Sequence, residues 1–180
     1  MSSILILHGW GSSAKNWGRV KELLEQHGHK VFVPDLPGFG ENPAPKVPWS
    51  IDDYANWVKQ YIDSNLREPF FLVGHSFGGA TAIKYAIKYP QGIQKLILVA
   101  ASYRRRKTRK ILLLAIAAKC FKIFSFLPLY NLFRRAFYKF VVRKSDYPHA
   151  TGVMKASYLK IIQDDLLGFP VDFINLYDRE

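Results

Sequence analysis

Gly74-His75-Ser76-Phe77-Gly78 follows directly on the apolar run Phe70-Phe71-Leu72-Val73 and leads into Ala80–Tyr89, a helix-forming stretch stopped by Pro90. No other segment of the 180-residue chain constrains the fold as strongly. A buried strand must turn within about two residues into a helix, and a serine stands at the apex. So sharp a reversal strains the central residue, and glycines two positions before and after it let strand and helix approach closely. The helix that follows aims its N-terminal N–H groups and positive dipole end at the serine. A chance G-x-S-x-G is expected only about 0.06 times in a chain of this length, and the flanking strand and helix supply the required context. The segment therefore reads as a nucleophile elbow, with Ser76 the candidate nucleophile and Gly74 and Gly78 the elbow glycines.

A second motif lies where the first needs it. Ile4-Leu5-Ile6-Leu7 is a short buried-strand pattern that runs into His8-Gly9-Trp10-Gly11. Acyl transfer gathers negative charge on a carbonyl oxygen, which calls for one N–H just after the nucleophile and another from a neighbouring loop. The backbone N–H groups of Phe77 and Trp10 are the candidates for this oxyanion hole. His8, Gly9 and Gly11 form the supporting loop. A third segment, Val31-Phe32-Val33-Pro34-Asp35-Leu36-Pro37-Gly38-Phe39-Gly40, is a strand entering a proline- and glycine-locked loop, in which Asp35 reads as a local hydrogen-bond organiser.

Apolar runs alternate with helical patterns from the start. Strands are expected at 4–8, 30–34, 69–74 and 95–100, and helices at about 14–27, 50–66 and 77–89. Ser50 supplies an N-cap for the second helix, with Asp52 and Asp53 in its first turn. Such alternation predicts an α/β fold: a mostly parallel sheet with flanking helices. After Ser102 the pattern turns wholly helical. Ile111–Leu127 is apolar around most of its circumference, and Leu129, Leu132, Phe133, Ala136, Phe137, Phe140 and Val141 recur at helical spacing. A third helical stretch is expected at about 151–167.

In order and spacing, His8-Gly9-Trp10-Gly11, Asp35-Leu36-Pro37-Gly38-Phe39-Gly40 and Gly74-His75-Ser76-Phe77-Gly78-Gly79 resemble the α/β-hydrolase superfamily, well over residues 4–100 and loosely beyond. The resemblance implies a serine hydrolase acting on an ester or related small acyl substrate, with no cofactor and no metal. It also implies an incomplete α/β-hydrolase core over 1–102, a helical cap over 103–168, and the start of the next core strand within 169–180. Asp35 is then structural, and His75, at the variable position of the elbow, is expected to point away from substrate.

Chain order in the superfamily runs from serine to acid to histidine. His149 alone among the histidines follows Ser76, and it reads as a solvated loop residue within the cap. Asp178 is the candidate acid. The usual acid and histidine are expected beyond residue 180, so the chain is expected to be a truncated or split hydrolase. The strand at 95–100 would then present an exposed sheet edge through which chains associate.

Charge is segregated along the chain. Residues 69–145 hold sixteen Lys and Arg and no acidic residue, whereas 1–68 hold seven against eight and 146–180 three against six. The excess begins at Arg104-Arg105-Arg106-Lys107-Thr108-Arg109-Lys110. In one reading the cap's apolar faces pack on the core and its charges are solvated. In another, an inactive fragment uses its basic amphipathic cap to bind a membrane surface or a partner. Lys119 and Lys122 interrupt the apolar stretch, which argues against spanning. No nucleic acid is expected, because no recognition motif accompanies the basic run. Cys120 is the sole cysteine, and the N-terminal apolar run is too short for a secretory signal; a cytoplasmic location is expected.

Overall fold

In the computed structural model, which describes residues 2–66, 69–102 and 151–163 and the backbone of 175–176, the apolar runs become strands joined by helices. β1 (Ser3–Leu7) leads through a 3-10 turn (Ala14–Trp17) into α1 (Gly18–Gln26). There follow β2 (Lys30–Phe32), α2 (Ile51–Asn65), β3 (Phe70–His75), α3 (Phe77–Lys88) and β4 (Ile93–Val99). α4 (Gly152–Ile161) and the two-residue β5 (Asn175–Leu176) complete the described elements. The strands lie in the order β2-β1-β3-β4-β5, every pair parallel. Four strands form the body of this α/β sheet.

Successive side chains point to opposite faces of a strand, and here both faces are apolar. Leu5, Leu7, Leu72 and Leu98 face a core completed by Ile51, Tyr54, Val58 and Ile62 of α2 and Ile83 and Tyr85 of α3. Ile4, Ile6 and Val31 point the other way, with Trp17 and Leu24 packed against them. That is why the strand sequences read as continuous apolar runs without polar alternation.

Local chemistry sets the element ends. The Asp53 N–H donates to Ser50 Oγ (3.3 Å) and the Ser50 N–H to the Asp53 carboxylate (2.7 Å), a reciprocal cap that starts α2. Helix expected from residue 14 begins instead as a 3-10 turn, in which the Asn16 N–H donates three residues back to the Ser13 carbonyl (3.1 Å) and the Ala14 N–H is held by the Asp35 carboxylate (2.6 Å). β2 stops before Pro34, which has no N–H for a ladder.

At the edge expected to be bare along β4, the two-residue β5, from within 169–180, pairs with Ile97 and Leu98. By contacts the chain divides into two units, Met1–Arg105 with Ala150–Glu180, and Arg106–His149. α4, which falls in the stretch expected to form the cap, belongs to the first. The basic run from Arg104, Cys120, His149 and Asp178 lie outside the described residues. Among the described residues no helix is long and apolar enough to cross a membrane.

Tyr54 links this core to the loop after β2. It is fully buried, its hydroxyl donates to the Pro37 carbonyl (3.0 Å), and burial pushes its phenol above the ordinary range. Tyr54→Phe leaves that carbonyl unpaired, so urea unfolding is expected to show a loss of about 1–3 kcal/mol. An unchanged midpoint would contradict the assignment.

Candidate active site

The sheet order reverses between β1 and β3, and in open α/β sheets the crevice at such a point, beyond the carboxyl ends of the strands, receives ligands. The loop at His8 leaves β1 there, and Ser76 leaves β3 beside it.

Ser76 has φ 51° and ψ −114°. A residue with a Cβ is strained by roughly 1–3 kcal/mol in sparsely populated regions of this kind. Surrounding bonds hold it there. Its N–H donates to the Val99 carbonyl (3.0 Å), and its carbonyl accepts from the Ala80 N–H (3.1 Å) and the Ser102 N–H (3.0 Å). The elbow glycines remove the competing sterics. A Cβ on Gly74 would stand 2.6 Å from the Gly78 carbonyl oxygen. On Gly78 it would collide with the Leu7 carbonyl oxygen and stand 2.5 Å from that of His8. Helix α3 therefore begins directly against the end of β1.

His8 is buried, with both ring nitrogens engaged. Nδ1 lies 2.8 Å from the Gly9 carbonyl and Nε2 accepts the Leu36 N–H at 2.9 Å, which assigns the neutral tautomer protonated at Nδ1. Burial drives its pKa down, opposed by the Gly9 carbonyl and by Asp35, whose carboxylate is 4.0 Å away. A ring so committed braces the loop and has no nitrogen left to take a proton from Ser76. Asp35 is equally occupied: besides the Ala14 N–H its carboxylate accepts the Glu41 N–H (3.0 Å), and its carbonyl accepts the Asn42 amide (2.8 Å).

The rest of the loop converges on Ser76. A Cβ on Gly9 would be 3.4 Å from Ser76 Cβ and 3.1 Å from His75 Nδ1, so the bare backbone runs alongside the elbow. Gly11 supplies the positive φ (69°) that turns the loop back. The Trp10 ring meets Phe77 edge-on at 5.3 Å and Phe39 at 4.8 Å. The two residues whose N–H groups are candidate oxyanion donors thus pack on each other. His75 lies toward Trp17, with ring centroids 6.0 Å apart.

Two contributions escape sequence reasoning. α4 brings Tyr158 onto Trp10 (5.1 Å between centroids) and Met154 onto Gly38. It is anchored by the Trp49 N–H donating to Ser157 Oγ (2.9 Å) and by Lys160 Nζ on the Pro48 carbonyl (3.0 Å). No local sequence pattern reports a contact spanning a hundred residues. The other is Ser102, whose Oγ lies 3.4 Å from Ser76 Oγ. Among the described residues no histidine or carboxylate hydrogen-bonds the Ser76 hydroxyl.

Known proteins share this fold. The alpha/beta hydrolase fold family matches residues 3–121, about two thirds of the chain. The chain belongs to the alpha/beta hydrolase family. A pimeloyl-[acyl-carrier protein] methyl ester esterase of Pseudoalteromonas atlantica is 36% identical over 107 residues, 58% of this chain and 39% of that protein. An uncharacterized protein of Mycobacterium tuberculosis is 36% identical over 99 residues, 55% of this chain and 29% of that one. This alpha/beta hydrolase chain spans less than half the length of these curated relatives. Among solved structures, an esterase from Exiguobacterium antarcticum superposes with TM-score 0.65 over 94% of this chain and 69% of that one, at 21% identity, a likeness of fold. A thermophilic esterase from Thermogutta terrifontis gives TM-score 0.56 at 27% identity, over 61% of this chain and 40% of that one.

The buried His8 makes stability depend on pH in a stated direction. Its folded pKa lies below the unfolded value of 6.5, so the unfolded chain binds this proton first as pH falls. The contribution is complete above that value and is lost as pH drops through it towards the folded pKa. Thermal unfolding from about pH 7 to about pH 5 is expected to show a steeper fall in Tm for the native chain than for His8→Gln. Parallel curves would contradict a buried neutral histidine.

Proposed function

We propose that this chain carries the nucleophile and oxyanion hole of a serine esterase. Ser76 Oγ attacks the carbonyl carbon of an ester, the carbonyl electron pair moves onto oxygen, and the N–H groups of Trp10 and Phe77 receive the charge. The hydroxyl proton passes to a histidine oriented by an acid, neither of which stands beside Ser76 among the described residues. Collapse of the tetrahedral species expels the alcohol, which takes up that proton, and water later releases the acyl group from Ser76.

The strained backbone of Ser76 is the observation that carries this reading. A φ of 51° on a residue with a side chain is maintained here by three backbone hydrogen bonds and two glycine contacts. Strain supported from several sides is characteristic of sites where a side chain must be presented in one orientation. An apolar acyl group suits the aromatic surroundings of the loop, Trp10, Phe39, Phe77 and Tyr158. Esterases among the relatives support an ester as substrate.

Incubation of the 180-residue chain with a fluorophosphonate, followed by intact-mass and peptide mapping, tests the proposal. One phosphonyl group on Ser76, absent from Ser76→Ala, is expected. A folded chain that stays unlabelled would overturn it.

A further inference from the structure

We infer that Ser102 is a positioning residue for Ser76, its hydroxyl holding the nucleophile's Oγ and donating to it as negative charge gathers there. The inference rests on Ser76 being the nucleophile. The end of β4 is built to bring residue 102 back over the elbow. Ala100 takes a positive φ of 46°, a conformation that among the described non-glycine residues only Ser76 shares. Ala101 then sits where a side chain on Gly79 would be: a Cβ on Gly79 would stand 2.5 Å from the Ala101 Cβ. The Ser102 N–H closes the turn on the Ser76 carbonyl at 3.0 Å, while the Ser76 N–H is held by Val99.

These contacts leave the two hydroxyl oxygens 3.4 Å apart. That is beyond the usual reach of an O–H···O bond, so the resting hydroxyls touch without a strong bond. Catalytic hydrogen bonds commonly tighten only as the reaction proceeds. A donor beside a developing alkoxide makes a charge-assisted bond, shorter and stronger than one between neutral groups. Ser102 is exposed, so its hydroxyl is not there to fill the core. A purely structural role would reside in its backbone N–H, which any residue except proline supplies.

Rates of fluorophosphonate labelling against pH, for the full chain and for Ser102→Ala and Ser102→Thr, separate these roles. Ser102→Ala is expected to label Ser76 about tenfold more slowly, with the rising limb of its pH profile displaced upwards and Tm unchanged. Ser102→Thr, which keeps the hydroxyl, is expected to restore both rate and profile. Equal rates and profiles for Ser102→Ala and the native chain would overturn the inference alone, leaving Ser76 as nucleophile. Slow labelling with a lowered Tm and no rescue by threonine would also overturn it, as a folding effect. An unlabelled native chain would remove the nucleophile reading and this inference with it.

Discussion

The carbonyl oxygens of Leu7 and His8 occupy the space into which a side chain at residue 78 would project. This contact between the end of β1 and the first turn of α3 is the constraint on which the site depends. Because Gly78 permits it, α3 starts beside the sheet and its N-terminal dipole end lies behind Ser76. Because α3 starts there, β3 must reverse within a single residue, and Ser76 takes its positive φ. The loop from His8 to Gly11 then passes close enough for Gly9 to lie against the Ser76 side chain.

Aromatic packing and a neutral histidine keep that loop in place. Trp10 bridges Phe77 on the elbow, Phe39 on the loop after β2, and Tyr158 on α4. His8 joins the end of β1 to Leu36 through one nitrogen and satisfies Gly9 with the other. Protonation would turn Nε2 from acceptor into donor opposite the Leu36 N–H. Keeping the ring neutral therefore preserves the loop, and burial accomplishes this.

The parallel sheet and the elbow were legible because they are written in short-range patterns. Apolar runs, the Ser50–Asp53 cap, and glycines at 74 and 78 each state a local geometric need. Asp35 could likewise be read as a loop organiser from its proline and glycine neighbours. Less was legible where distant backbone decides the outcome. The first turn of the first helix has its Ala14 N–H held by Asp35, twenty-one residues away. Ser102 gains its place from the turn at Ala100, and alanine carries no sequence signal for a positive φ. The position of α4 rests on Ser157 and Tyr158, neither of which belongs to a motif.

The central claim is that Ser76 and the N–H groups of Trp10 and Phe77 form one reacting centre. The most direct measurement is a crystal structure of the chain after reaction with a phosphonate ester, whose tetrahedral phosphorus mimics the acyl-transfer intermediate. The account predicts phosphorus bonded to Ser76 Oγ and a phosphonyl oxygen about 2.7–3.1 Å from both nitrogens. An adduct on another residue, or on Ser76 with its oxygen out of reach of either N–H, would contradict it.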